Sequence, residues 1–232
     1  MNVEIVASPE ALAERAAAAI AARMRDGVER RGRFVIAVSG GTEPWVAFRR
    51  LAALEVPWHG VHIVQVDERV APAGHAQRNW THLQAHLLDR VPIGPHQVHP
   101  MPVEDEALEN AARRYARELE SIAGAPPVLD LVHLGLGDDG HTASLLPGDP
   151  VLEEVHADVA VTASYRGFRR MTLTYPIIDR AREILWLVGG EGKSQAARAL
   201  LAGDARIPAG RVRQDNACLL TDRRTLGNAT SI

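Results

Sequence analysis

Short apolar runs rich in Val, Ile and Leu recur along the 232-residue chain, and helical stretches separate most of them. Runs at 2–6, 34–38, 61–66, 128–134, 158–162, 171–174, 184–188 and 217–221 read as strands. That alternation leaves few architectures open. Strands joined through helices run parallel, and a parallel sheet needs cover on both faces. The pattern predicts an α/β fold, a mostly parallel, Rossmann-like sheet with helices on both faces. Ser8-Pro9-Glu10 supplies an N-cap and a first-turn proline for a helix reaching about position 29. Further helices are expected over 44–54, 79–88, 105–122 and from the 189–193 loop to about 201.

With 46% hydrophobic and 24% charged residues, the chain can build one full core, so a single domain over 1–232 is expected. The Pro- and Gly-containing stretch 91–102 is the candidate small subdomain or insertion. The net charge of −3 gives no reason to expect nucleic acid or a membrane as partner, and local arginine pairs read as solvated surface. One cysteine, Cys218, excludes a disulfide within the chain and reads as a small buried hydrophobe. Glu4, Glu14 and Arg15 interrupt the N-terminal region, so no signal peptide is read, and no run approaches the roughly 18 apolar residues of a membrane span. The expectation is a soluble, cytoplasmic protein.

Four polar or glycine-rich loops each follow a predicted buried strand, at 39–42, 67–69, 135–141 and 189–193. In an open parallel sheet such loops gather at the carboxyl edge, where ligands bind. The first, Ser39-Gly40-Gly41-Thr42, is either an anion cradle at a helix N-terminus, with Thr42 as N-cap and Pro44 in the first turn, or a plain strand-to-helix turn. In the second, alternation turns Asp67 and Arg69 the same way and Glu68 the other. Arg69 there either grips a phosphate or carboxylate or makes a structural ion pair.

The third loop, Gly135-Leu136-Gly137-Asp138-Asp139-Gly140-His141, has the G-x-G-x-x-G spacing of a dinucleotide site. Asp138 and Asp139 occupy the gap a pyrophosphate must enter, and Pro147 cuts short any following helix. What remains is His141, an imidazole suited to take a proton from water at neutral pH, with a neighbouring carboxylate to orient it. Which of Asp138 and Asp139 does so is open, because a turn of unknown geometry separates them. The fourth loop ends in Gly192-Lys193-Ser194, but a Walker A cradle needs glycine where Leu187 stands. Lys193 is either a point charge for one phosphate or a solvated lysine. His82 and His86 have a zinc-like i, i+4 spacing without a third ligand, so no metal is expected.

Together these segments resemble the glucosamine-6-phosphate isomerase/6-phosphogluconolactonase family, on its lactonase side. The resemblance covers nearly the whole chain. It rests on Ser39-Gly40-Gly41-Thr42-Glu43-Pro44, Asp67-Glu68-Arg69, Arg78-Asn79-Trp80, the stretch from Gly135 to Pro147, Arg170-Met171-Thr172-Leu173-Thr174 and Gly192-Lys193. It implies a fold of the NagB/RpiA type and hydrolysis of 6-phospho-D-glucono-1,5-lactone to 6-phospho-D-gluconate, in the oxidative pentose phosphate pathway, without metal or organic cofactor. His141 then matches the general base, with Asp67 and Arg69 beside it as catalytic candidates. Ser39, Gly40, Gly41, Thr42, Asn79, Asp139, Gly140, Arg170 and Lys193 are the candidate substrate-binding residues. Phosphate and oxyanion remain undivided among Arg69, Arg170 and Lys193. The partner is a small phosphosugar lactone, and the protein is expected as a monomer or weak homo-oligomer.

Two other readings compete. Glucosamine-6-phosphate deaminases continue their loop as Gly-His-Ile-Ala-Phe-Asn-Glu-Pro, and Leu146 stands where their glutamate would be. Leu146 also replaces the lactonases' usual phenylalanine, a change expected to touch packing only. A non-catalytic sugar-phosphate sensor would keep the phosphate loops without needing His141, and no DNA-binding segment accompanies them here.

Overall fold

The computed structural model describes residues 1–226. Its strands are β1 (Asn2–Val6), β2 (Phe34–Val38), β3 (Val61–Gln65), β4 (Asp67–Arg69), β5 (Val98–His99), β6 (Leu131–Leu134), β7 (Val159–Val161), β8 (Arg170–Leu173), β9 (Glu183–Val188) and β10 (Ala217–Asp222). Between them lie α1 (Pro9–Arg31), α2 (Thr42–Leu51), α3 (Asn79–His86), α4 (Leu108–Ala123), α5 (Tyr175–Arg180) and α6 (Ser194–Leu201), with the short α7 (Arg223–Leu226) after the last strand. Seven strands form one wholly parallel sheet in the order β1-β10-β9-β6-β2-β3-β5. None of the helices described is long and apolar enough to cross a membrane.

Strand alternation divides the core in two. Phe34, Ile36, Val38 and Ile63 pack with Leu12, Ile20 and Met24 of α1, Phe48 and Leu51 of α2 and Leu83 of α3. Val35, Ala37, Val64, Val132, Leu134 and Trp186 pack on the other face with Tyr115 and Leu119 of α4 and Ala197 and Leu200 of α6. Successive side chains leave a strand on opposite faces, so an unbroken apolar run such as Phe34–Val38 needs helices above and below. Local signals are honoured at α1, where Ser8 Oγ accepts the Ala11 amide at 3.2 Å, Pro9 opens the helix and Gly32 closes it in a left-handed turn.

The structure differs from the sequence expectations at several places. The strand expected over 61–66 ends at Gln65, and the chain then changes sheets. Val66 donates to Val38 O at 3.0 Å and accepts from the Leu173 amide at 2.8 Å, so it belongs to both neighbours. Beyond it β4 joins β8 and β7 in a small antiparallel sheet, which takes the 158–162 and 171–174 strands out of the main one. Helix α2 starts two residues early: Gly41 is its N-cap, with no side-chain cap, and Thr42 is its first residue. Helix α4 starts at Leu108, because Asp105 takes the Ala107 amide at 2.8 Å and pairs with Arg114 in the loop before it. The 91–102 stretch supplies β5, the edge strand beside β3. Cys218 is half-buried in β10, where burial pushes its thiol pKa up.

Candidate active site

The loops after β2, β3, β6 and β9 leave adjacent strands at the carboxyl edge of the sheet. The chain runs outward from β2 in one direction and from β6 in the other, so a crevice opens between them. There lies a cleft of about 560 Å³. Ser39, Gly40, Gly41, Thr42, Asp67, Arg69, Asn79, His141, Arg170 and Lys193 all line it. Asp139 and Gly140 do not: the first stands behind His141, and the second packs beneath it against Ile207.

The His141 loop is a closed turn. Gly137 donates to His141 O at 2.8 Å, and Thr142 Oγ1 ties the far side to Gly135 O at 2.8 Å. The imidazole lies against Gly137, where any Cβ would run into the ring and into Asp139. Asp139 Oδ1 sits 2.5 Å from His141 Nδ1 and also accepts the His141 amide at 3.1 Å. Burial works against the charge on Asp139, but the His141 amide and ring and the Tyr165 hydroxyl outweigh it and hold the carboxyl below its usual range. Asp139, not Asp138, is therefore the partner of the histidine. With Nδ1–H donated to this carboxylate, Nε2 is left to accept a proton in the cleft.

A second network holds Asp67 and Arg170. Ser144 Oγ donates to Asp67 Oδ2 at 2.6 Å, and Asn79 Nδ2 reaches Asp67 Oδ1 at 3.2 Å and its backbone O at 3.0 Å. Arg170 donates from Nη1 to Ser144 Oγ at 3.4 Å, while its Nε is buried without a partner. Burial lowers the pKa of this guanidinium, against the pull of Asp67. A buried cation with an unused donor beside a cleft is a ready anion ligand. Arg69 donates to Gln77 O at 2.5 Å and holds the loop before α3.

Glu68 points away from the cleft, as alternation predicts, and is fully buried. Its carboxylate accepts the amides of Arg69 at 2.8 Å, Asn79 at 2.8 Å and Trp80 at 2.7 Å, with the Gln65 side chain at 2.9 Å and the Arg78 guanidinium 3.5 Å away. Glu68 thus caps α3 from outside the helix and sets Asn79 over Gly40, where a Cβ would strike the Asn79 amide.

The 39–42 loop rests on a residue that sequence reasoning passed over. His133 in β6 is fully buried and accepts the Ser39 amide on Nδ1 at 3.2 Å. Burial lowers its pKa to about 4, so the ring is neutral at pH 7. His82 and His86 stack on each other and on Trp45, a packed aromatic wall at one side of the cleft. One sequence signal could have found more: Ser144 and Thr172 both lie inside the long family-like motifs. Tyr165, which donates to Asp139 Oδ2 at 3.3 Å, carried no signal at all.

The sequence profile described as glucosamine-6-phosphate isomerases/6-phosphogluconolactonase matches residues 7–221. A 6-phosphogluconolactonase of Synechocystis sp. is 36% identical over 209 residues, which span 88% of this chain and 86% of that protein. One of Mycobacterium tuberculosis is 36% identical over 236 residues and covers 96% of each. The solved 6-phosphogluconolactonase of Trypanosoma brucei superposes with a TM-score of 0.85 at 26% identity, over 99% of this chain and 98% of that one.

Proposed function

The chain belongs to the glucosamine-6-phosphate isomerase/6-phosphogluconolactonase family, and from that premise we propose that it hydrolyses 6-phospho-D-glucono-1,5-lactone to 6-phospho-D-gluconate with His141 as general base. The observation that carries the reading is the His141–Asp139 pair, an imidazole held at Nδ1 at 2.5 Å on the wall of a cationic cleft. His141 Nε2 takes a proton from water as the oxygen attacks the lactone carbonyl. The tetrahedral oxyanion collapses, the bond to the ring oxygen breaks, and the imidazolium returns the proton to that oxygen. Asp139 stays ionised and stabilises the imidazolium in between.

Arg170, Arg69, Lys193 and the amides of the 39–42 loop supply the positive field for a phosphate and a developing oxyanion. Asp67 is fixed by Ser144 and Asn79, an acceptor set for sugar hydroxyls. Deamination has no support at the site: Leu146, where deaminases carry a glutamate, is buried and apolar. The reading takes in a cytoplasmic monomer or weak homo-oligomer with neither nucleic acid nor membrane as partner.

The test is lactone hydrolysis measured above its uncatalysed background, with ammonia release from glucosamine 6-phosphate followed in parallel. Activity in the first assay alone is expected, and activity only in the second overturns the reading. His141→Asn is expected to lower kcat by about 10²–10⁴-fold, the usual worth of a positioned base.

A further inference from the structure

Tyr165 lies in the hairpin between β7 and β8, and no step above uses it. Its amide donates to Phe168 O at 2.9 Å and Phe168 donates back at 3.2 Å, across a two-residue turn of Arg166 and Gly167. Both turn residues have positive φ, 49° and 85°, the geometry that reverses a twisted hairpin most tightly. The paired rings leave in different directions. Phe168 packs edge-on against His75 at 5.7 Å, in the loop leading to α3. Tyr165 reaches the His141 loop, and the hairpin so bridges two walls of the cleft.

At Asp139 both carboxylate oxygens are engaged, Oδ1 by His141 and Oδ2 by the Tyr165 hydroxyl. Above the Tyr165 ring stand two guanidinium groups, that of Arg166 at 5.1 Å and that of Arg170 at 5.4 Å from its centre. One side chain therefore touches both the carboxylate of the base pair and the buried cation of the cleft. We propose that Tyr165 is a positioning residue for the His141–Asp139 pair: its hydroxyl fixes the second carboxylate oxygen, and its ring seats Arg170.

The sign of its effect follows from the charge on Asp139. A carboxylate that shares its charge with a hydroxyl attracts an imidazolium less. Removing the hydroxyl returns that charge to the face His141 uses, so the ring holds its proton to higher pH. The carboxylate also loses one of its two anchors, and the base is aligned less of the time. The other groups around it do not supply a substitute. Asp138 lies beside Asp139 on the same loop and accepts its amide at 3.2 Å. The segment beneath brings apolar Ile207 to Gly140, while its Asp204 and Arg206 bond to each other.

Two variants separate the contacts, and the activity readouts rest on the lactonase reading. Tyr165→Phe is expected to lower kcat by about 3–10-fold with KM within about twofold, and to move the acid limb of kcat/KM to higher pH. The His141 ring, titrated by NMR, shifts upward in the same variant. Tyr165→Leu also removes the ring over Arg170 and raises KM as well. Wild-type kcat and an unshifted His141 titration in Tyr165→Phe overturn the proposal, as does loss of its folded spectrum, which would assign the hydroxyl to stability. Either result leaves the lactonase reading standing if wild type hydrolyses the lactone and His141→Asn does not. A wild type without hydrolysis overturns that reading instead, and the NMR titration still decides the role of Tyr165.

Discussion

Arg170 enters the cleft only 6% exposed, and its Nε has no partner. Desolvating a guanidinium costs free energy that the Ser144 contact at 3.4 Å only partly offsets, so the site is poised for an anion that returns the missing hydrogen bonds. If that anion is the substrate phosphate, held alike in ground and transition states, Arg170→Ala raises KM with kcat nearly unchanged. Lys193→Ala, in the same cleft, does the same. Steady-state kinetics check both, and a loss confined to kcat would move the residue to the oxyanion. At this scale placement was legible: His141 and Lys193 stand in short motifs at strand ends, and both line the cleft. The choice between Asp138 and Asp139 was not, because it depends on the dihedrals of a turn. Tyr165 was invisible because it meets Asp139 only through the fold.

Elements behaved according to how local their causes are. The caps of α1 lie within its own sequence, and the helix forms where Ser8 and Gly32 place it. Helix α3 has no side-chain cap of its own, since Arg78 at its N-cap makes none. Its first amides are satisfied by Glu68 on β4, and the same carboxylate fixes the approach of Asn79 to Asp67. Glu68→Gln keeps the shape but replaces a charged acceptor by an amide that must turn an N–H toward other donors. A loss of about 2–4 kcal/mol in stability is expected, read from urea unfolding, together with a lowered kcat/KM as Asn79 shifts. Strand β4 stands where the sequence reading expects a loop after the 61–66 strand. Its partner β8 lies far along the chain, and nothing in Asp67-Glu68-Arg69 announces an antiparallel pairing with Arg170-Met171-Thr172.

Over the whole molecule, the pairing of β6 beside β2 places a neutral histidine under the 39–42 loop. His133 has a folded pKa near 4 against an ordinary value of about 6.5 in the unfolded chain. The unfolded chain therefore binds the extra proton first as pH falls. The associated stability is present in full above about pH 6.5 and is lost progressively down to about pH 4. Between pH 7 and pH 5 the loss from this residue is about 2 kcal/mol. Urea midpoints at the two pH values should differ less in His133→Leu than in wild type, whatever that variant costs at pH 7 by orphaning the Ser39 amide. An equal difference in both proteins would place the acid sensitivity elsewhere.

The alternation of the main strands with helices, the doubly covered sheet and the gathering of four strand-end segments at one edge were determined by sequence alone. Each rests on local periodicity or on a general rule of parallel sheets, and neither needs coordinates. Tertiary structure decided which carboxylate orients His141, that Val66 passes the chain from one sheet to another, and that Glu68, His133 and Tyr165 support the site from β4, β6 and the β7–β8 hairpin. These are contacts between segments far apart in the chain. Their geometry is set by packing density and by the need to satisfy buried polar groups, and those constraints exist only once the whole core has closed.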